Sequence, residues 1–127
     1  MDPNREKAPP EEVCETNFES EVLKSKRPVL VAFLAPWSRP CHILDATLVE
    51  VARACAERAR VVRVNADDNP ELSMLYEIQS IPTLLYFIGG VMRARIVGTA
   101  SKEAVLARMA SAVYGDGLAA PSPEGEK

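Results

Sequence analysis

The chain has 127 residues, 47% of them apolar, with 15 Lys and Arg against 18 Asp and Glu for a net charge of −3. That is chain enough for one core, and its scattered cations form no basic stripe that could neutralise a run of phosphates, which argues against a nucleic-acid partner. Three cysteines, Cys14, Cys41 and Cys55, are too few for a disulfide framework, and one histidine with no Cys/His cluster gives no metal site and no cofactor to expect.

The first residues, "MDPNREKAPPEEV", are charged and proline-rich without an apolar h-region, so they do not read as a secretory signal. No apolar run approaches the roughly 18 residues of a membrane helix. The expectation is a cytoplasmic monomer with no membrane contact. Residues 1–11 and 115–127 are rich in Pro, Gly and charge and read as flexible tails around one domain spanning 12–114.

Within that domain "EVCE" reads as an edge strand, with Cys14 a small buried hydrophobe. "TNFESEVLKS" places the capping residues Thr16 and Asn17 ahead of Phe18, Val22 and Leu23 and predicts a short first helix. "PVLVAFLA", residues 28–35, is a continuous apolar run of the kind a strand covered on both faces shows, so it is expected at the centre of its sheet. From Pro40 onward Leu44, Leu48, Val51 and Cys55 recur at helical spacing, which predicts an amphipathic helix to about Arg58 with Pro40 in its first turn.

"RVVRVNAD" alternates and reads as a strand, after which Asn69 is expected to cap a helix opening at Pro70. "TLLYFIGGVMRARIVG" reads as two strands joined by a tight turn at Gly89-Gly90. Ser101 caps a last helix, 102–114, with Val105, Leu106, Met109 and Val113 on one face. The order βαβαβαββα gives an α/β fold: a parallel βαβ half, an antiparallel hairpin half, and hence a central mixed β-sheet with helices on both faces.

A strand that ends in Ala35-Pro36-Trp37 and runs directly into a helix puts residues 38–41 at a helix N-terminus, where unpaired amides and the macrodipole favour negative charge and lower a thiol pKa. Burial of Cys41 would act in the opposite direction. Cys55 lies on the apolar stripe of the same helix, about 21 Å from Cys41 at the helical rise, so the two cannot pair. Ser38, His42 and Asp45 share a helical face and make a hydrolase-like list, but nothing in the sequence supplies an oxyanion hole or substrate pocket; Ser38 reads instead as a cap, His42 as solvated, and Asp67-Asp68 as loop surface.

The stretches "PVLVAFLAPWSRPC", "VNADDNPELSMLYEIQSIPTLLYFIGG" and "IVGTASKEAV" resemble the thioredoxin family over residues 12–114. The resemblance implies the thioredoxin fold. It also implies that Ser38 occupies the place of the nucleophilic cysteine of Trp-Cys-Gly-Pro-Cys and Cys41 that of the resolving cysteine. Arg39 then replaces the motif glycine, and Ala32 stands where relatives commonly bury an acid. By the same resemblance Ile81-Pro82-Thr83 is a cis-proline loop, and Trp37, Arg39, Pro40, Ile81, Pro82 and Gly98 border a groove for an extended peptide. Without the resemblance, Pro82 reads as the opening of a strand, Trp37 as a half-buried aromatic and Gly98 as a turn residue.

Disulfide exchange needs an attacking thiolate and a second sulfur to release the mixed disulfide, and Ser38 can supply neither. Three readings therefore stand side by side. The first is a peptide- or protein-binding or redox-accessory module without dithiol-disulfide reductase activity. The second is a monothiol thiol-disulfide oxidoreductase in redox homeostasis acting through Cys41. The third is a Cys-to-Ser variant, at position 38, of an active thioredoxin. Arg39 beside the helix N-terminus can in addition attract an anionic group of a partner.

Overall fold

The structure is a computed structural model and describes residues 10–114. Five strands and four helical segments follow in order: β1 (Glu11–Glu12), α1 (Glu19–Leu23), β2 (Val29–Leu34), α2 (Arg39–Ala54), β3 (Arg60–Asn65), α3 (Pro70–Leu75), β4 (Thr83–Ile88), β5 (Val91–Val97) and α4 (Lys102–Tyr114). The sheet order is β1-β3-β2-β4-β5, with β1–β3 and β3–β2 parallel and β2–β4 and β4–β5 antiparallel. This is the expected mixed sheet, with β2 in the middle and buried along its whole length.

Alternation along β2 divides the core. Leu30, Ala32 and Leu34 face α2 and α4, packing with Cys41, Leu44, Leu48, Val51, Cys55, Val105 and Met109. Val29, Val31 and Phe33 face the other layer with Phe18, Val22 and Leu72 from the α1 and α3 side. Fully burying a side chain of the Val, Leu or Phe class contributes about 1.5–3 kcal/mol, so both layers hold the sheet. Phe18, Tyr76 and Phe87 form a ring cluster with centroids 5.6–5.9 Å apart, tying the N-terminal segment to α3 and β4. Gly89 and Gly90 turn the hairpin with φ of 60° and 82°, and a Cβ on Gly90 would meet the Leu23 carbonyl oxygen at 2.7 Å.

Several local expectations are corrected. The edge strand is Glu11–Glu12 rather than residues 12–15, because the side chain of Asn17 draws the chain out of register: its Oδ1 accepts from the Cys14 amide at 2.8 Å. Asn17 is therefore not the cap of α1, which begins after Phe18 and is a single wide turn, with the Lys24 amide donating to the Glu19 carbonyl. Cys14 is exposed, not buried. Helix α2 stops at Ala54 instead of about Arg58; the Arg58 and Ala59 amides both turn back to the Cys55 carbonyl, and the Arg27 guanidinium donates to the freed carbonyl of Ala56. On α4, Ser101 caps as expected, accepting from the Ala104 amide, but Val113 is exposed. The expected tails lie outside the described residues except for Pro10, which is buried, and Glu11, which is in β1.

Candidate functional site

Strand β2 delivers the chain to the site. After Leu34 the backbone turns at Ala35-Pro36-Trp37, with the Ser38 amide donating to the Ala35 carbonyl, and enters α2. Ser38 is its N-cap in extended conformation, φ −96° and ψ 120°, and its Oγ accepts from the Cys41 amide at 3.3 Å. Pro40 falls in the first turn, where a missing amide costs nothing. Ser38 is thus held by a structural task and is only 5% exposed.

Cys41 is 2% exposed, and its Sγ accepts from the Ala35 amide at 3.4 Å. Ala32, on the strand face that packs against the same cluster, is fully buried and brings no carboxylate near the sulfur. All three cysteines are free. Cys55 is buried as expected, and burial pushes its thiol pKa up. Cys14 is the opposite case: Sγ lies 3.1 Å from the Thr16 hydroxyl oxygen, and that hydrogen bond, helped by the backbone of Thr16, lowers its pKa.

The rim around this buried sulfur is open. Pro36, Arg39 and Pro40 are exposed, and Trp37 is 70% exposed, which sets aside the reading of Trp37 as a half-buried core residue. The Trp37 indole is nevertheless anchored: Nε1 donates to Asp67 Oδ2 at 2.6 Å. Asp67 therefore does more than cover a loop. Its position follows from an Asx turn in which Asn65 Oδ1 accepts from the Asp67 and Asp68 amides, a turn that "NADDN" offered in the sequence.

On the other side of β2 the Ile81–Pro82 peptide is cis, Pro82 is buried just ahead of β4, and Ile81 is half-buried against the cluster that holds Cys41. Gly98, at φ 92°, donates its amide to the Pro82 carbonyl at 2.8 Å, so these two expected groove residues are directly joined. A cleft of about 320 Å³ opens on the β3 side of β2, bordered by Ala35, Cys41, His42, Asp45, Arg63 and Asn65.

The hydrolase-like list is not assembled. Ser38 Oγ is committed to the Cys41 amide, the His42 ring nitrogen meets the Pro36 carbonyl, and Asp45 pairs with Arg63 across to β3. Among the described residues no group of three or more His, Cys, Asp or Glu is placed to hold a metal ion, and no helix is long and apolar enough to cross a membrane. What the arrangement offers chemically is one enclosed sulfur, no second sulfur beside it, and an exposed aromatic and proline rim.

Comparison with known proteins bears on the same region. Residues 9–111 match the family described as Thioredoxin. The chain is 44% identical over 95 residues to a thioredoxin of Acidithiobacillus ferridurans, covering 75% of this chain and 88% of that protein. It is 41% identical over 95 residues to a thioredoxin of Griffithsia pacifica, 75% and 87% of the two chains. A third relative, the bifunctional thioredoxin reductase/thioredoxin of Mycobacterium leprae, is 37% identical over 102 residues, or 80% of this chain and 22% of that one. With the mixed sheet and the helices on both faces in agreement with these matches, the chain belongs to the thioredoxin family, and its sequence carries no Cys-x-x-Cys pair.

Proposed function

We propose that this protein binds an extended segment of a partner protein along the rim formed by Trp37, Arg39, Pro40, Ile81, Pro82 and Gly98, and that it does so without dithiol-disulfide exchange. The observation that carries the reading is the state of the motif: Ser38 Oγ serves as the helix cap and Cys41 Sγ is enclosed and hydrogen-bonded, while Trp37 stands exposed beside them. Strand addition suits such a rim, because main-chain hydrogen bonds tolerate many sequences and apolar neighbours select among side chains. Arg39 favours a partner segment with an acidic residue near the start of α2. The free thiols fit a reducing compartment, and we assign the protein to the cytoplasm, acting as a monomer.

The test pairs two measurements. Reduction of insulin disulfides with external dithiol is expected to stay at background, and an extended peptide library is expected to yield binders whose affinity is lost on Trp37→Ala. Turnover above background, or binders indifferent to Trp37, would overturn the reading. One observation favours a second reading: Cys41 borders the cleft on the β3 side. Through that opening a Cys41 thiolate would attack one sulfur of a disulfide, expel the other as a thiolate, and be freed when an external thiol attacks the resulting mixed disulfide.

A further inference from the structure

Helix α3 lacks the cap its sequence promises. Asn69 stands at the N-cap position, yet its side chain makes no capping bond to its own helix. That side chain is 5% exposed and is spent elsewhere: Oδ1 accepts from the Glu15 amide at 2.8 Å and Nδ2 donates to the Asn65 carbonyl at 2.9 Å. The cap comes instead from a residue more than fifty positions earlier. Glu15 Oε2 accepts from the Glu71 amide at 2.7 Å and from the Leu72 amide at 3.3 Å, satisfying two of the amides that a helix start leaves without partners.

The network continues to the rim. Asn65, held at its carbonyl by Asn69, forms the turn whose Oδ1 accepts from the Asp67 and Asp68 amides, and Asp67 Oδ2 takes the Trp37 indole proton. Ser73, on the first turns of α3, also donates to the Ala66 carbonyl inside this loop. The links form one run of hydrogen bonds from Glu15 to the Trp37 indole. Without the Glu15 carboxylate, the orphaned amides of α3 would compete for the Asn69 side chain, which is the ordinary capping residue at that position. Asn69 could satisfy them only by leaving Glu15 and Asn65, and the turn that presents Asp67 would lose its support.

We propose that Glu15, on the loop after β1, is a positioning residue for Trp37: by capping α3 from outside, it releases Asn69 to hold the 65–68 turn and so fixes the carboxylate that anchors the indole. The inference rests on the reading of Trp37 as part of the binding rim for its functional meaning, and on geometry alone for its mechanism. It gives the segment between β1 and α1 a task beyond carrying the chain. It also makes the orientation of Trp37 depend on a residue that reaches it through Asn69, Asn65 and Asp67.

Trp37 is the chain's single tryptophan, so one indole N–H resonance reports on it without ambiguity. The experiment compares that resonance and its exchange with water in the full chain and in Glu15→Ala, Glu15→Gln and Ser101→Ala. In Glu15→Ala the indole signal is expected to move toward the position of a free indole and its exchange to speed up several-fold. Glu15→Gln keeps an acceptor oxygen and is expected to restore most of both. Ser101→Ala removes the cap of α4 and is expected to leave the indole unmoved.

An unchanged indole in Glu15→Ala, with the Glu71 and Leu72 amides exposed to exchange, would overturn the proposal, as would an equal shift in Ser101→Ala. Should Glu15→Ala fail to fold, Glu15→Asp withdraws the carboxylate by one methylene and is read in the same way. Loss of peptide affinity is measured separately with Trp37→Ala, so failure of the binding reading and failure of the positioning mechanism give different results.

Discussion

Cys41 and Cys14 occupy opposite situations, and the difference shows where thiol chemistry can take place in this protein. Cys41 sits in the stretch Trp-Ser-Arg-Pro-Cys, at the start of a long helix, but is enclosed by α2 and β2 and occupied by the Ala35 amide. Cys14 sits in a short loop with no motif around it, yet it is exposed and its thiolate is favoured by the Thr16 hydroxyl. Position relative to a motif and accessibility of the sulfur have come apart. The element that separates them is packing, because the start of α2 carries Cys41 into the core.

The contrast is sharpest in alkylation of the native protein. Cys14 is expected to label directly, whereas Cys41 waits for an opening that costs on the order of 5 kcal/mol, so the rates should differ by about 10³ or more. Mass spectrometry of the labelled peptides after a short pulse checks this. Labelling of Cys41 at a rate near that of Cys14 would break the contrast and move the functional reading toward the monothiol enzyme. Within the same experiment Thr16→Val is expected to shift the pH midpoint of Cys14 labelling upward, since the largest cause of its lowered pKa is removed.

Stability gives a smaller effect of the same sign. Cys41→Ala removes a buried side chain and leaves the Ala35 amide without its sulfur, at an expected cost of about 1–2 kcal/mol. Cys14→Ala should change stability by less than about 0.5 kcal/mol. Urea unfolding of the two variants beside the parent chain measures the difference, and equal midpoints would show that Cys41 is not the packed residue described above.

The smallest effect lies at alkaline pH. Burial pushes the Cys55 thiol above its ordinary value, and burial with the nearby Cys55 pushes the Tyr86 phenol up. In the unfolded chain these groups lose their protons at lower pH than in the folded one. Their contribution is therefore complete below about pH 9 and is lost as pH rises from there through the raised folded values. The urea midpoint is expected to decline above pH 9, with a shallower decline in Cys55→Ala; identical slopes would remove Cys55 from the cause.

Much of this was legible in the residues. The uninterrupted apolar run of β2, the stripe Leu44, Leu48, Val51 and Cys55, and the paired glycines at 89 and 90 each specify a local element whose burial or turn the structure repeats. Ser38 as a cap and Cys55 as a core residue follow from helix position alone. The exposure of Cys14 did not follow, because it depends on Asn17 reaching back to the Cys14 amide and ending the strand early. The anchoring of Trp37 did not follow either, since Asp67 is thirty positions away in sequence.

The sequence by itself determined the order of elements, the two buried faces of the central strand and the absence of a second sulfur in the motif, because these depend on periodicity and residue identity within one segment. Only the tertiary structure decided which side chain caps α3, which carboxylate holds the Trp37 indole and which thiol meets solvent. Those outcomes are competitions among hydrogen-bonding groups brought together from distant segments, and a capping residue such as Asn69 does what its neighbours in space leave it free to do.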